Sequence, residues 1–500
     1  MADTKREIER KYESDDSGLP DLTGVAGVAS VVDKGVAHLD ATYYDTPDER
    51  LVASSITLRR RTGGSDAGWH LKFPVAEGVR DEIQAPLSDD LPDTFAGLVR
   101  SRVRHAELVP VVRLRSDRDV RDLVDADGRV LAEVSVDAVH AQRLAGGDGS
   151  AQWSEIEVEL TDGVDPVFLD KVEKRLRKAG VRPSKSASKL ARALAETAPK
   201  KLAPGPAEEL VTAGDHVLAY VRAQRDGIVG LDPAVRQDAE DSVHSMRVAT
   251  RRLRSTFKSF RMVLDRTVTD PIADELKWLA GELGVDRDRE VLNERLSAAL
   301  DEVPHTLVSG PVAERVRHWA GDRPGGASRR LIGVLDSRRY LDLLDVLDGL
   351  LTDPPLREAA GQKPGKVLPK AVKKDFGKVT ALVEQALELD PGADRDVAIH
   401  EARKKTKRTR YAAEAAVPAL GKPAKDLVKT MKSLQNLLGE HQDSVMARGT
   451  LRELSAVAHA AGESAFTYGL LYGREEQHAA AVEAELPGVW DDIKDATDVL

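Results

Sequence analysis

Charged residues two positions apart recur along six short segments in the first two hundred residues. Near the start, REIERKY carries Glu7, Glu9 and Lys11 at this spacing, and in a β-strand such residues share one face. The same spacing recurs at Arg59 and Arg61, His70 and Lys72, Arg80 and Glu82, Arg113 and Arg115, and Glu155, Glu157 and Glu159, and a wider one at Glu133 and Asp137. Clustered carboxylates bind hard divalent cations, whereas Arg and Lys bind phosphate oxygens. Together they suit the transfer of a phosphoryl group to water.

Two arrangements of these strands are compatible with the alternation. One is an antiparallel sheet that packs its apolar face on a core and exposes its charges to water. The other is a closed barrel with the charges inside. Solvent-facing strands usually carry scattered Ser, Thr, Gln and Lys, whereas these carry clustered Glu and clustered Arg, which favours the barrel. Enclosed carboxylates repel one another, and a magnesium or manganese ion would compensate that repulsion.

The second half of the chain contains two basic helical stripes. The segment from His244 to Arg261 has six Arg or Lys residues and no acid, and the segment from His400 to Arg410 has six and one acid. At 100° per residue, one helical face of the first segment carries His244, Arg247, Arg251, Arg254, Lys258 and Arg261. The matching face of the second carries His400, Arg403, Lys407 and Arg410, with Lys404 and Arg408 at its margins. A solvated face is the ordinary explanation of such a stripe. However, like charges three or four residues apart repel, so the recurrence favours an anionic ligand.

The two stripes belong to an internal repeat. HSMRVATRRLRSTF matches HEARKKTKRTRYAAE, and about forty residues after each histidine a second pair of segments matches. These segments are LGVDRD, with Leu283, Gly284 and Asp288, and LGEHQD, with Leu438, Gly439 and Asp443. Two matched elements in the same order predict two related helical units. We expect a further run of lysines to extend this basic surface: Lys363, Lys366, Lys370, Lys373, Lys374 and Lys378.

The length and composition predict an α+β multidomain protein. The 500 residues exceed a single core. We expect a β-domain at 1–198, a linker at 199–207 rich in Pro and Lys, and an all-helical domain at 208–500. The net charge of −10 does not favour a general nucleic-acid binder, and the absence of cysteine fits a reducing compartment. With neither a signal peptide nor an apolar membrane span, we expect a cytoplasmic protein with no membrane partner.

Five motifs in the first half resemble the CYTH domain, also called the triphosphate tunnel metalloenzyme fold. They are EIERK, YYDTPDERL followed by LRRR, WHLKFP, SEIEVEL and SKSASKLARAL, within residues 5 to about 197. The resemblance implies an eight-stranded antiparallel β tunnel that holds a divalent metal, Mg²⁺ or Mn²⁺, and a linear triphosphate. The metal positions it implies are Glu7, Glu9, Glu157 and Glu159, with Glu155 as an alternative among the late glutamates. The phosphate positions are Lys11, Arg59, Arg61, Lys72, Arg113 and Lys189, with Arg115 and Arg118 as alternatives to Arg113.

The second half resembles the CHAD domain, the conserved histidine α-helical domain. HxxRxxTRRLR, HxxRKKTKRTRYxxE and the segments LGVDRDREVL and LGEHQDSV carry the resemblance, over residues 210–485. It implies two pseudo-symmetric four-helix bundles around a basic groove for inorganic polyphosphate. The expected polyphosphate-binding residues are His244, Arg247, Arg251, Arg254, His400, Arg403, Lys407 and Arg410.

These resemblances predict metal-dependent hydrolysis of inorganic triphosphate or related short phosphate chains, coupled to polyphosphate binding. Glu7, Glu9 and Lys72 are the expected catalytic residues, and association with polyphosphate granules is expected. The alternatives are a non-catalytic polyphosphate-binding protein and a thiamine or nucleoside triphosphatase. Aromatic residues make up only 4% of the chain, so base stacking, and with it nucleic-acid binding, is not expected. The sequence leaves open the substrate, the metal, the general base and the oligomeric state.

Overall fold

The computed structural model divides the chain into two compact units, Met1–Pro206 and Ala207–Leu500. It describes residues 4–14, 18–197, 209–285, 287–321 and 324–497. The expected linker at 199–207 lies outside these residues. In the described part of the chain, no helix combines the length and the apolar character needed to cross a bilayer.

An antiparallel sheet closed into a ring forms the first unit. Its strands are β1 Thr4–Ser14, β2 Ser30–Asp45, β3 Thr57–Thr62, β4 Gly68–Ala76, β5 Val79–Pro86, β6 Val109–Val124, β7 Val130–Arg143, β8 Ser150–Leu160 and the short β9 Arg182–Pro183. The order is β5-β4-β3-β2-β6-β7-β8-β1-β9, and β5 also pairs with β1. The ring therefore has eight strands, as the sequence predicts, with β9 added beside β1.

The barrel has its apolar side on the outside, covered by short helices. These are α1 Arg50–Ala53, α2 Asp93–Leu98, α3 Arg100–Val103 and α4 Val167–Lys178. Leu58, Leu71 and Ile83 are buried beneath the α2 and α3 side chains, and Ile156 and Val158 are buried beneath α4. The charged side chains that alternate with these residues consequently face the interior, which decides between the two arrangements that the sequence allows.

The last helix of this unit, α5 Lys189–Thr197, closes one end of the barrel. Leu190, Ala193 and Leu194 are buried in a cluster with Tyr43 and Leu114 from the strands. The apolar spacing of three and four residues explains why this short segment forms a helix with one buried face. The barrel is therefore plugged by side chains at this end, and its polar cavity begins beyond the plug.

Helices alone make up the described part of the second unit, apart from two 3₁₀ turns and one bridge. They are α6 Ala213–Arg236, α7 Ser242–Ser259, α8 Arg266–Glu282, α9 Arg287–Asp301, α10 Val312–Ala320, α11 Pro324–Asp336, α12 Arg338–Thr352, α13 Pro364–Glu388, α14 Ala393–Leu420, α15 Lys422–Ala460 and α16 Phe466–Thr497. Helices α6, α7, α8 and α12 pack as one set and α13 to α16 as the other. The repeat-related helices α7 and α14 pack against each other, which brings the two basic stripes together.

The plug helix gives a test of the fold. Leu190→Ala should lower the free energy of unfolding of the barrel by about 2–5 kcal/mol, because Leu190 is fully enclosed and its loss leaves a cavity. Calorimetry of the full chain would measure the shift of the barrel transition. The matched control is Glu196→Ala, which removes only an exposed pair with Arg192 on the same helix. Equal shifts for the two variants would contradict the plug.

Candidate functional site

The barrel encloses a polar cavity of about 690 Å³. All the tunnel residues expected from the sequence line it except Arg113. Further charged residues also line it: Lys5, Lys34, Arg80, Glu82, Arg118, Asp122 and Glu133. Cations and carboxylates are thus enclosed together, as the strand alternation predicts.

Four carboxylates lie side by side across adjacent strands. Glu9 on β1 pairs in register with Glu159 on β8, Glu159 with Glu133 on β7, and Glu133 with Asp122 on β6. We call these four residues the acidic row. Like charges directly opposite on neighbouring strands destabilise a sheet. In keeping with this, burial and then the charge of Glu159 raise the pKa of Glu133.

The acidic row fits a hard divalent cation. Its donors are all carboxylate oxygens, which magnesium and manganese prefer, and nothing on the row itself neutralises them. Lysines reach its members from the sides: Lys5 lies 2.7 Å from Glu159, Lys34 lies 3.4 Å from Asp122 and Lys11 lies 3.0 Å from Glu9. Among the described residues, no three carboxylates of the row lie within ligating distance of one another, so a cation would have to draw these side chains together.

A second acidic group, deeper in the barrel, is already neutralised by a lysine. The carboxylates of Asp137, Glu155 and Glu157 lie close enough together to hold a metal ion. However, the Lys189 ammonium lies 3.0, 2.7 and 2.6 Å from them, respectively. Burial lowers and these three carboxylates raise the pKa of Lys189, with a net increase that keeps it charged. Lys189 therefore occupies the place that a cation would take in this group, whereas each lysine beside the acidic row pairs with a single carboxylate of the row and Glu133 forms no ion pair among the described residues.

Glu7 is the carboxyl group most easily protonated in the cavity. It is 4% exposed, its carboxylate accepts a hydrogen bond from Lys72, and Lys72 lies 3.3 Å from Glu82. Burial, opposed by Lys72 and reinforced by the charge of Glu82, raises the pKa of Glu7 to about 7. Burial would also raise the pKa of Glu82, but the hydrogen bond from His70 and the charges of Lys72 and Arg59 lower it. Glu7 is therefore protonated much more easily than Glu82, although the two carboxyl groups are neighbours.

The cationic side of the cavity comes from β3, β4 and β6. Arg59 donates to the Tyr43 hydroxyl at 3.3 Å, and its guanidinium lies 3.8 Å from Glu82. Arg61 pairs with Asp66, yet burial and the nearby Arg59 lower its pKa to about 9. Burial and a neighbouring positive charge disfavour the charged form of Arg61. An anion bound beside it would favour that form again and raise its pKa.

The helical unit concentrates cations of both repeats in one place, where α7 meets α14. We call Arg247, Arg251, Arg403 and Lys407 the groove cluster. Burial, then the charges of Arg403 and Arg251, lower the pKa of Lys407 to about 7. Burial and Arg247 lower that of Arg251. Among the described residues, no ion pair involves Arg251, Arg403 or Lys407. The cluster is therefore a half-buried positive site in which three of the four cations lack an ion pair.

The repeated Leu-Gly segments position the outer arginines of the cluster. A Cβ atom on Gly284 would lie 2.7 Å from Arg247 Nη2, and one on Gly439 would lie 3.2 Å from Arg403 Nη2. Asp288 then holds both guanidinium nitrogens of Arg247, at 2.7 and 2.9 Å. The repeat motif thus combines an arginine, a glycine that leaves room for its guanidinium and an aspartate four residues further on.

Comparison with known proteins follows the same division. The CYTH domain model matches residues 5–194 and the CHAD domain model matches residues 219–452. Two uncharacterized proteins of Mycobacterium tuberculosis, from strains CDC 1551 and H37Rv, are each 38% identical over 496 residues, which covers 96% of this chain and 94% of theirs. The chain belongs to the CYTH–CHAD family. For this family the barrel is the CYTH unit and the helical part is the CHAD unit.

Solved structures resemble parts of the CYTH–CHAD chain. PptA from Streptomyces chartreusis is 21% identical with a TM-score of 0.48, covering 56% of this chain and 99% of its own. The CHAD domain of Ricinus communis is 23% identical with a TM-score of 0.44, covering 61% of this chain and 97% of its own. These are similarities of fold.

One predicted tunnel residue of the CYTH unit is wrong. Arg113 lies on the outer face of β6, where its guanidinium pairs with Asp40, and Arg118 faces the cavity instead. Arg118 holds Asp137 with two hydrogen bonds of 2.8 Å and Glu157 with another. Both faces of β6 carry charges, so the alternation alone cannot orient the strand. The pairing of Arg118 with Asp137 of β7 shows which face of β6 points into the barrel.

Two members of the acidic row are absent from the sequence prediction. The spacing of Glu133 and Asp137 on one strand face is visible in the sequence, but nothing local shows that Glu133 would stand beside Glu159. Asp122 lies on the same face of β6 as Arg118, which the sequence offers only as an alternative to Arg113, and Asp122 itself is not predicted. Only the pairing of β6, β7 and β8 reveals both.

In the CHAD unit, the predicted groove residues separate into groups. The four residues of the groove cluster come together, whereas His244 is exposed and the His400 ring lies 2.5 Å from Gln442. Arg410 lies over the Tyr411 ring and 3.7 Å from Glu414. Arg254 is half-buried, its Nε atom has no hydrogen-bond partner, and its pKa is lowered by burial.

The groove cluster predicts an unusual lysine. In the full chain, Lys407 should titrate near neutral pH, and Arg403→Met should raise its pKa because removal of a neighbouring positive charge favours the ammonium form. NMR titration of the lysine ¹³Cε signals would measure this, with Lys407→Arg identifying the resonance. Arg338→Met, at an 87% exposed position on α12, is the control and should leave the value unchanged. An ordinary lysine pKa in the wild type would contradict the cluster.

Proposed function

We propose that the CYTH unit hydrolyses inorganic triphosphate or related short phosphate chains with a divalent metal, and that the CHAD unit binds inorganic polyphosphate. The observation that carries the first part is the enclosure of the acidic row and a set of arginines and lysines in one plugged cavity. The observation that carries the second is the groove cluster, three of whose cations lack an ion pair. Membership of the family supports both parts.

In this proposal, cations of the cavity bind the phosphate oxygens. Arg59 and Arg61 offer planar forks that match such oxygens, and Lys11 and Lys72 offer compact charges. Arg118 and Lys189 hold carboxylates in the absence of substrate, so they would exchange one anion for another when phosphate enters.

The acidic row would hold Mg²⁺ or Mn²⁺ at the end where Glu9 and Glu159 are neighbours, with Glu7 and Glu157 two residues away on the same two strands. The ion, when bound, supplies neutralisation of phosphate charge and activation of a water molecule. Glu7, with its pKa of about 7, can accept or hold a proton beside Lys72 at neutral pH. The plug at one end excludes water from the deep part of the cavity, which strengthens these interactions.

The proposal is tested first by phosphate release. The full chain should release phosphate from triphosphate in the presence of magnesium or manganese and lose this activity in EDTA. Long-chain polyphosphate, thiamine triphosphate and ATP, tested alongside, would identify the preferred substrate. If none of the four substrates releases phosphate with either metal while long polyphosphate binds, the chain is a binding protein and hydrolysis is excluded.

Adjacent arginines on β3 provide a matched pair for this test. Arg59→Ala should reduce kcat/KM by roughly tenfold or more, because a charge-assisted contact in an enclosed site is lost. Arg60 lies on the outer face, where it donates to the Ser88 carbonyl at 2.7 Å, so Arg60→Ala should stay within about twofold of the wild type. Steady-state kinetics decide the matter, and similar losses in both variants would argue against substrate binding in the cavity.

Two glycines near the C-terminal end of α8 provide the corresponding pair for the CHAD unit. Gly284→Ala, in the turn after α8, should weaken binding of long polyphosphate several-fold, because the new Cβ displaces the flexible end of Arg247 rather than the backbone. Gly281→Ala, in the last turn of α8 with open space around it, should leave binding unchanged and adds helix propensity. Fluorescence anisotropy in EDTA would measure affinity, and circular dichroism would show that both variants are folded. Unchanged affinity in Gly284→Ala would contradict the role of Arg247.

A further inference from the structure

The two repeats of the CHAD unit are not equivalent at one charged position. Eight residues after each repeat histidine lies an arginine, Arg252 or Arg408, and fourteen residues after it lies Lys258 in the first repeat but Glu414 in the second. Because α7 and α14 pack together, the arginine of each repeat meets this later position of the other repeat. The pair of repeats therefore contains one contact of opposite charges and one of like charges.

The side with the acid is neutralised. Arg252 Nε lies 3.0 Å from the Glu414 carboxylate, and the Tyr220 hydroxyl donates to the same carboxylate at 2.9 Å. Arg410 lies 3.7 Å from Glu414 as well. A single partly buried glutamate thus compensates two arginines and accepts a hydrogen bond from Tyr220, so this side has little attraction for a further anion.

The side with the lysine remains positive. Arg408 donates to the backbone carbonyl of Lys258 and, at 2.9 Å, to Asp375, which also accepts from Ser259 and Lys378. Asp375 therefore compensates Arg408 and Lys378, and the Lys258 ammonium is left without a partner. In the described residues neither Lys258 nor Arg261 forms an ion pair.

These residues line a cavity of about 340 Å³ at the end of α7. Lys258, Arg261, Arg266, Lys378 and Arg408 contribute to it, and Arg266 is paired with Asp270 at 2.7 Å. Burial, then Arg254 and Arg408, lower the pKa of Lys258, so the cavity is electropositive and an anion would relieve it. The lining also includes Asp274, which leaves an excess of positive charge.

A continuous path joins this cavity to the groove cluster. Arg251, Arg254 and Lys258 follow one another on one face of α7, at spacings of three and four residues. Seven residues of helix span about 10 Å, so a single phosphate cannot reach from Arg251 to Lys258, whereas a chain of linked phosphates can. Glu414 blocks the repeat-related direction.

We propose that the cavity at Lys258 and Arg261 is an end subsite for the phosphate polymer, so that the chain leaves the groove cluster on this side only. This inference rests on the proposed binding of polyphosphate by the CHAD unit. The bound polymer would then extend from the groove toward one end only, although the groove is built from two similar repeats. The ligand class is a linear polyphosphate longer than the groove cluster itself.

The test compares short and long chains on the full protein in EDTA. The double variant Lys258→Gln plus Arg261→Gln should bind long polyphosphate roughly tenfold or more weakly than the wild type, because two charge-assisted contacts are lost. Its affinity for short chains that fit the groove cluster should change little. The slope of log affinity against log salt should fall by about 1.5–2 for long chains, as expected for two lost phosphate contacts.

The control removes the same charge elsewhere. Arg338→Gln plus Lys422→Gln changes exposed positions on α12 and α15 and should retain the wild-type affinity and salt slope. Equal long-chain affinities in the two double variants, or an equal loss for short and long chains in the first, would overturn the end subsite. A wild-type chain that binds no long polyphosphate would overturn the proposed function itself. If single-stranded DNA binds equally strongly at this subsite, the subsite is a general polyanion site and its assignment to polyphosphate is wrong.

Discussion

Repulsion among carboxylates on neighbouring strands is the constraint on which the rest of the CYTH unit depends. The acidic row sets four acids side by side, and their strands pair only because other groups reduce the cost. Lysines approach the row from the sides, and Lys189 neutralises the deeper acidic group. Since charges fill the interior, the apolar faces of the strands must be covered from outside, which is the role of α4 and the helices α1 to α3. Apolar side chains fill the interior where α5 packs against the strands.

The CHAD unit has the same difficulty with the opposite sign. Cations from two helices converge at the groove cluster, and packing of α7 against α14 keeps them together despite their repulsion. That packing rests on small buried positions of the repeat: Thr250 and Thr406 are fully buried and return their hydroxyl hydrogen bonds to the backbone four residues earlier. The repeated glycine and aspartate then restrain the guanidinium groups. The packing of α7 against α14 therefore holds the cations of the groove cluster close together despite their repulsion. A bound anion would reduce that repulsion.

The two repeats of the CHAD unit share their packing residues but differ in charge at one position. Packing positions such as Thr250 and Thr406 are shared because each helix must contact the other in the same way. Lys258 and Glu414 differ because charge at that position alters the ligand path and not the core. Two similar repeats can thus form an asymmetric surface through one position, Lys258 in the first repeat and Glu414 in the second, which lies where α7 packs against α14.

The sequence by itself determined the classes of both units, most of the residues that line the barrel cavity and the four residues of the groove cluster. Period-two alternation of charge predicted the strands, and the duplicated stripes predicted paired helices, because both signals are local and repeat along the chain. Arg113 marks where this reasoning ends: both faces of β6 are charged, so only its hydrogen-bonded register with β7 decides that Arg118 and Asp122 face inward. Tertiary structure likewise decided that Glu133 joins Glu9 and Glu159, and that Glu414 rather than Lys258 pairs with an arginine. Such contacts join residues that are far apart in the chain, and no local pattern encodes which strand or helix will be the neighbour.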